Sequence, residues 1–354
     1  MDKTELKKIS AVVSKRLGRK IFFVSAEALK GGFQADAYKI ISDDGKAFFL
    51  KKMKRSGEAG FEMPERHLLS FKVSHGMTKR SGLKPEPIGV IIARGEETVI
   101  LPELDEEASL YHVQEFADGL GENFWDSLVA RKEKKTVDEK DRKEIRAITE
   151  ILVSIHNTTR PDFSQAVLKS LYNDSLQSIL AHPGYFFRFL SDFGPKHPFL
   201  PRSKHGKFVE LILFVIYKFE NDFERLKVLH GDFWGTNIFY QPDGKVSVVD
   251  FSRIPYGEPG IDVGYFTAQF LWFYHDTGNK YFKNLGELFI HNYENQTGDR
   301  KIRQSLCLPL GLLTLLYCNQ RFHPDNNSAS EKSFFNAVVA SLKKGKFSWG
   351  KSKR

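Results

Sequence analysis

The sequence predicts an α+β chain in two parts: a small antiparallel-sheet part with one helix, then a larger, mainly helical part. Three observations predict it. Residues 1–113 carry short β-prone runs separated by glycine-bearing turns. Beyond residue 119 the apolar residues fall at helical spacing, and a single hairpin at 238–249 interrupts that pattern. At 354 residues the chain is also too long for one simple core. The seam falls at 114–119.

Taken in order, a strand is expected over 21–28, followed by Leu29-Lys30-Gly31-Gly32-Phe33 as a turn. A strand over 37–41, a turn at Asp43-Asp44-Gly45 and a strand over 47–53 complete two hairpins. Pro64 opens a helix over 64–75 with Leu68, Leu69 and Phe71 on its apolar side. Strands at 88–93, 98–101 and 111–116 close this part. In the second part, Ile145, Ile148, Leu152 and Ile155 mark a helix over 138–159 with acidic residues crowding its start. Further helices are expected at 163–180, 205–226, 260–275, 281–296, 300–319 and 330–343. The last twelve residues, KKGKFSWGKSKR (343–354), form a basic tail.

Composition bounds the function. A hydrophobic fraction of 41% and 31 phenylalanines imply a large, aromatic-rich core. The formal charge of +9 suits an anionic partner (nucleotide, phosphorylated sugar, nucleic acid or membrane surface) and equally a soluble protein with a basic exterior. Nothing beyond that charge points to nucleic acid, so none is expected. The polar start has no secretory apolar core, and the longest apolar stretches, 211–217 and 306–318, fall short of the roughly 20 residues of a membrane span. A cytoplasmic protein is expected. Cys307 and Cys318 read as buried free thiols, and the eleven histidines include no helical pair spaced for zinc. The tail has six basic residues around Phe347 and Trp349. It could dock on an anionic surface or stay solvated, and its removal is expected to leave turnover intact.

The chemistry concentrates in HGDFWGTNIFYQPDGKVSVVDF, residues 230–251. Asp232 and Asn237 are five residues apart, and Asp250 lies thirteen further on. The intervening hairpin brings Asn237 and Asp250 together at its base, with Asp232 one short loop away. Oxygen donors without cysteine or histidine suit magnesium better than zinc. A magnesium site beside a glycine turn suggests nucleotide chemistry. Gly31 and Gly32 allow backbone amides close to a phosphate, although a Gly-Gly hairpin turn is the ordinary explanation. Neither a Walker A sequence nor a dinucleotide fingerprint occurs. The strand FFLKKMK carries Lys51, Lys52 and Lys54. One of them facing a cleft, held by Glu65, would neutralise phosphates; a solvated strand end is the plain alternative.

HGDFWGTNIF followed by VSVVDF resembles the catalytic segment of the aminoglycoside phosphotransferase and choline kinase superfamily, small-molecule kinases of protein-kinase-like fold. The order of glycine turn, FFLK, helix glutamate, VQEFADG, HGD with Asn five on, and VDF covers roughly residues 20–265. The resemblance implies a two-lobe, protein-kinase-like fold: a nucleotide-binding lobe over 1–113, a hinge over 114–119 and a catalytic and substrate lobe over 120–342. It implies Asp232 as the base that orients the acceptor hydroxyl, and Asn237 and Asp250 as magnesium ligands. Lys51 corresponds to the phosphate-contacting lysine and Glu65 to its ion-pair partner. Lys51 is preferred over Lys52 because strand side chains alternate: Phe49 and Lys51 face the cleft while Phe48 and Leu50 pack on the helix. Glu115, Phe116 and Ala117 match the hinge that reads adenine through its backbone, and Asp262 in GEPGIDVGYF matches a brace for the catalytic loop. His230 is expected to brace by hydrogen bonding; Phe233 and Trp234 either line the cleft or pack beneath it. Ser252 replaces a protein-kinase glycine, HGD replaces an arginine-containing triplet, and no Ala-Pro-Glu follows, which favours a small-molecule kinase. The implied function is transfer of the γ-phosphate of ATP or GTP to a hydroxyl of a small or lipid/sugar-linked acceptor. The alternative is a catalytically silent kinase-fold protein with a binding or regulatory role.

Overall fold

The structure, a computed structural model, describes residues 3–29, 35–53, 87–94, 97–98, 109–115, 121–181, 185–241, 245–251, 255–320, 323 and 328–351. The chain forms two compact units, residues 1–120 and 121–354. No helix among the described residues is long and apolar enough to cross a membrane.

The first unit opens with a helix that the sequence reading does not contain. α1 (Lys3–Leu17) buries Leu6, Ile9, Ser10 and Val13, an i, i+3, i+4, i+7 stripe hidden in a polar stretch. It covers an antiparallel sheet of β1 (Phe23–Ala28), β2 (Ala35–Ser42), β3 (Ala47–Met53), β4 (Pro87–Arg94), β5 (Glu97–Thr98) and β6 (Ser109–Glu115), in the order β1-β2-β3-β6-β4-β5. Each expected strand has a counterpart; residues 99–101 and 116 of the expected strands lie outside the described residues. Leu6, Ile9 and Val13 pack with Ile21, Phe23, Ile40, Phe48 and Leu50. Two serines fasten the helix: Ser10 Oγ accepts the Phe23 N–H at 2.9 Å and Ser14 Oγ that of Ile21 at 2.8 Å. Phe48 and Leu50 thus pack on α1; the expected helix over 64–75 lies outside the described residues. The turn after Asp43 closes through Gly45, whose φ is +80° and whose N–H reaches the Ser42 carbonyl at 2.9 Å.

The second unit is built around α7. Its preceding helices are α2 (Phe124–Ala130), α3 (Glu139–His156), α4 (Gln165–Ala181), α5 (Tyr185–Asp192) and α6 (His205–Phe219). α7 (Gly260–Thr277) is buried from Gly260 through His275, with the polar side chains of Asp262, Gln269 and His275 each hydrogen-bonded. Against it pack α8 (Lys280–Thr297), α9 (Ile302–Ser305), α10 (Leu310–Tyr317) and α11 (Ser328–Lys344). The expected helix over 300–319 is broken: α9 ends before Pro309, which lacks the N–H needed to continue the ladder and instead opens α10. The helix expected over 205–226 stops at Phe219, and α2 and α5 were not anticipated. α3 follows its signature. Asp138 and Asp141 exchange a capping box, and Ile145, Ile148, Leu152 and Ile155 are buried.

The basic tail, expected to be solvated or docked on an anionic surface, is instead packed into the fold at Phe347 and Trp349. Lys343 and Lys344 end α11, and the following chain folds back onto the helical unit. Phe347 and Trp349 are 8% and 6% exposed, their rings 5.0 Å apart. The Phe347 N–H reaches the Arg303 carbonyl at 2.8 Å, His275 Nε2 meets the Trp349 carbonyl at 2.8 Å, and the Trp349 indole N–H donates to Glu287. A side chain on Gly286 would collide with the Trp349 ring, so the glycine makes the slot. With both aromatics buried they are not available to insert into a membrane. Truncation after Lys344 is therefore expected to destabilise the second unit by about 3 kcal/mol, at roughly 1.5 kcal/mol per buried aromatic. Denaturant unfolding checks this; an unchanged midpoint would contradict it.

Candidate active site

The residues 230–251 fold as a loop held at both ends, followed by the expected hairpin. β7 (Lys227–Val228) leads into the loop and pairs antiparallel with β10 (Tyr256–Gly257), which leads into α7. At the end of this ribbon Arg225 makes two forks. Nε and Nη2 donate to the two oxygens of Glu258 at 2.8 and 2.6 Å, and Nη1 and Nη2 to those of Asp299 at 2.7 and 2.8 Å. Tyr172 donates a further bond to Glu258 at 2.7 Å. Burial, and then the Glu258 charge, push the Tyr172 phenol well above its usual range.

Asp262, fully buried near the start of α7, holds the front of the loop: its carboxylate accepts the N–H groups of His230 at 2.8 Å and Gly231 at 2.9 Å. Gly231 has a φ of +82°, a backbone that turns the chain into Asp232 and disfavours any side chain. His230 then ties the loop to the hairpin. Its Nε2 lies 2.9 Å from the Val249 carbonyl, which can only accept, so Nε2 carries the proton. Nδ1 is left to accept the Asp232 N–H at 3.2 Å. The ring packs against Phe251 at 4.4 Å and Phe233 at 5.7 Å.

Asp232 is 7% exposed. Its carbonyl accepts both the Trp234 N–H at 2.8 Å and the Asn237 side-chain amide at 2.9 Å. With Nδ2 so engaged, the Asn237 Oδ1 remains as a donor atom for a cation. A 3-10 turn, Gly235–Asn237, delivers Asn237 to the hairpin. Gly235 is pinned there, its N–H on Gln269 Oε1 at 3.0 Å, with no room for a Cβ. The hairpin pairs β8 (Ile238–Tyr240) with β9 (Val246–Val248), and the Val249 N–H extends the ladder to the Asn237 carbonyl at 2.9 Å. Asn237 thus stands opposite Val249, with Asp250 next. Asp250 has a φ of +66°, and it is the one non-glycine with a left-handed backbone among the described residues. Such strain persists where the surroundings impose it, most often at functional sites. Among the described residues no group of three or more His, Cys, Asp and Glu forms a metal cage. The carboxamide and carboxylate oxygens suit a hard cation that keeps water or phosphate oxygens in its shell.

Phe233 is fully buried and packs beneath the loop against Phe266, at 5.4 Å. Trp234 is half-buried and meets the rings of Tyr265 at 5.8 Å and Tyr317 at 5.4 Å. In the first unit, Lys51 lies half-buried on β3, opposite Ala37 and His112. Lys52 points to the α1 side, where its Nζ is 2.7 Å from Glu5. The two lysines therefore take opposite faces, as alternation requires. Glu115 ends β6 opposite Phe48. Gly31, Gly32, Glu65, Phe116, Ala117 and Ser252 lie outside the described residues. The sequence reading missed Arg225, Glu258, Gln269, His156 and Tyr293, all of which act on the loop or its supports. His156 alone had a local signal, a histidine on the buried stripe of α3.

A β-rich unit followed by a helical one, with an Asp-bearing loop running into a short hairpin, defines a kinase-like phosphotransferase. The family model for the phosphotransferase enzyme family (APH) matches residues 25–301, and the chain belongs to that family. It is a phosphotransferase. A search of curated proteins returns no significant match. Among solved structures, the chain is similar to an apo thermostable mutant of aminoglycoside phosphotransferase APH(4)-Ia, with 14% identity, a TM-score of 0.53 and coverage of 94% of this chain and 98% of that one. Amicoumacin kinase hAmiN, in complex with AMP-PNP, Ca2+ and Ami, matches with 14% identity, a TM-score of 0.53 and 98% coverage of both chains. Choline kinase LicA from Streptococcus pneumoniae matches with 15% identity and a TM-score of 0.52, covering 96% of this chain and 99% of that one. The fold is protein-kinase-like.

Proposed function

We propose that the protein transfers the γ-phosphate of ATP, or of GTP, to a hydroxyl of a small or lipid/sugar-linked acceptor, with Asp232 as the base. The observation that carries this reading is the shared anchoring of Asp232 and Asn237. One carbonyl, that of Asp232, holds the Asn237 amide, while the ladder bond from Val249 sets Asp250 beside it. Phosphoryl transfer asks little covalent chemistry of a protein; it needs an aligned nucleophile and neutralised phosphate charge. Asp232 would orient the acceptor hydroxyl and take its proton. Asn237 and Asp250 would hold magnesium, which when bound neutralises charge on the nucleotide phosphates. In the first unit, Lys51 with Glu65, Gly31 and Gly32 would receive phosphates, and the backbone of Glu115, Phe116 and Ala117 would read the base. Trp234 offers a partly exposed ring close to Asp232 in sequence, suited to the apolar face of an acceptor. AMP-PNP bound to the amicoumacin kinase supports a nucleotide as the phosphoryl donor.

Calorimetry with magnesium and a non-hydrolysable ATP analogue tests the metal-nucleotide half. Asp250→Ala is expected to abolish magnesium-dependent binding, and Asn237→Ala to weaken it by a smaller factor. Unchanged affinity in both variants would refute the assignment.

A further inference from the structure

The hydrogen-bond path that holds the catalytic loop does not end at Asp262. The same carboxylate oxygen that accepts the His230 N–H, Oδ2, also lies 3.1 Å from Nε2 of His156, on α3. On the far side of that ring, Nδ1 lies 2.7 Å from the hydroxyl of Tyr293, on α8. The carboxylate only accepts, so His156 Nε2 donates and Nδ1 accepts a hydrogen bond from the tyrosine hydroxyl. Burial, with Asp299, Glu258 and Asp262 nearby, keeps the Tyr293 phenol protonated and hence a donor. His156, Asp262 and Tyr293 are each 1% exposed or less.

We propose that His156 and Tyr293 are positioning residues for phosphoryl transfer, holding the Asp262 carboxylate in the one rotation that lets its two oxygens clamp the His230 and Gly231 amides. This rests on the reading of Asp232 as the base. The peptide that Asp262 clamps connects both halves of the site. Through His230 it reaches the Val249 carbonyl, one residue before Asp250, and the Asp232 N–H. A carboxylate released by His156 can rotate about its χ2 and share its oxygens differently, shifting Asp232 relative to the hairpin. A misplacement of about 1 Å costs up to about a hundredfold in rate without requiring any loss of ligand contacts. Neither positioning residue is assigned a contact with nucleotide or acceptor, so kcat should move and KM should not.

The test compares wild type with His156→Leu, His156→Gln, Tyr293→Phe and Asp232→Asn. One readout is acceptor-free hydrolysis of magnesium-ATP; the other is amide hydrogen exchange of the peptide spanning 229–234, which needs no activity. His156→Leu is expected to lower kcat about tenfold or more with KM for ATP within about twofold, matching loss of one hydrogen bond to a charged group. Exchange at His230 and Gly231 should quicken. His156→Gln, whose amide nitrogen takes the place of Nε2, should restore most of both, and Tyr293→Phe should have an effect of about twofold. Wild-type kcat and exchange in a folded His156→Leu protein would overturn the proposal. So would a Gln variant no better than Leu. If His156→Leu does not fold, His156→Asn replaces it, since the shorter amide cannot reach Asp262; equal exchange in Asn and Gln variants would again overturn it. An active Asp232→Asn enzyme would defeat the base assignment alone, leaving the exchange data to decide on His156 and Tyr293.

Discussion

Asp232→Asn is expected to abolish phosphoryl transfer while leaving nucleotide affinity within a few-fold of wild type. The substitution is isosteric. It retains the Asp232 N–H on His230 and the Asp232 carbonyl that holds Trp234 and Asn237, so the loop keeps its shape. What it removes is the proton acceptor. General-base catalysis contributes about 10²–10⁴ in rate, and a fall of at least about a hundredfold in kcat is therefore expected. Steady-state kinetics beside nucleotide titration of the same preparation checks it. Retention of more than about a tenth of the activity would remove Asp232 from the mechanism, because a merely structural aspartate tolerates its amide.

The largest effect on stability is expected from Arg225→Ala. Glu258 is fully buried and Asp299 is 15% exposed at its side chain, and Arg225 supplies four hydrogen bonds that neutralise the pair. Removing the guanidinium leaves two carboxylates facing one another in a water-poor site. Breaking a buried ion pair from one side costs about 3–5 kcal/mol, and the second unit should unfold correspondingly earlier in denaturant. Arg225→Lys should recover only part of this, since an ammonium cannot make two planar forks. A loss below about 1 kcal/mol for Arg225→Ala would show that water or a neighbouring cation replaces it. Because Arg225 and Glu258 sit at the end of the β7–β10 ribbon, the same variant should disorder the approach to His230 and slow turnover in whatever fraction remains folded.

Much of the second unit's architecture was legible because it is written locally. The stripe of Ile145, Ile148, Leu152 and Ile155, the carboxylates opening α3, and the two arms flanking Pro-Asp-Gly are each local signals. The convergence of Asn237 and Asp250 follows from the hairpin alone, and the ladder bond from Val249 is its physical expression. Three things were not legible. α1 is masked by a composition that is polar on average, although Leu6, Ile9 and Val13 trace a face. The tail's charge is misleading, since Lys343, Lys344, Lys346 and Lys351 are exposed while Phe347 and Trp349 fill a slot that exists because position 286 is glycine. The Arg225 forks join residues 33 and 74 positions away, and His156 meets Asp262 across 106. No periodicity encodes such partners; only the packed chain brings them together. That Lys51 and Lys52 take opposite faces of β3 is the converse case, since strand alternation alone requires it and Glu5 holds Lys52 on the α1 side.

The direct measurement is the fate of a labelled γ-phosphate. Wild type and Asp232→Asn are incubated with magnesium and γ-labelled ATP, or GTP, against a panel of hydroxylated sugars, amino alcohols and cell-surface precursors, and the label is followed by mass spectrometry. Wild type is expected to place the label on an acceptor hydroxyl from the panel, and Asp232→Asn to place none, with both proteins binding nucleotide. Wild-type protein that binds magnesium-nucleotide yet transfers no label to any acceptor would contradict catalysis and leave a silent kinase-fold binding protein in its place.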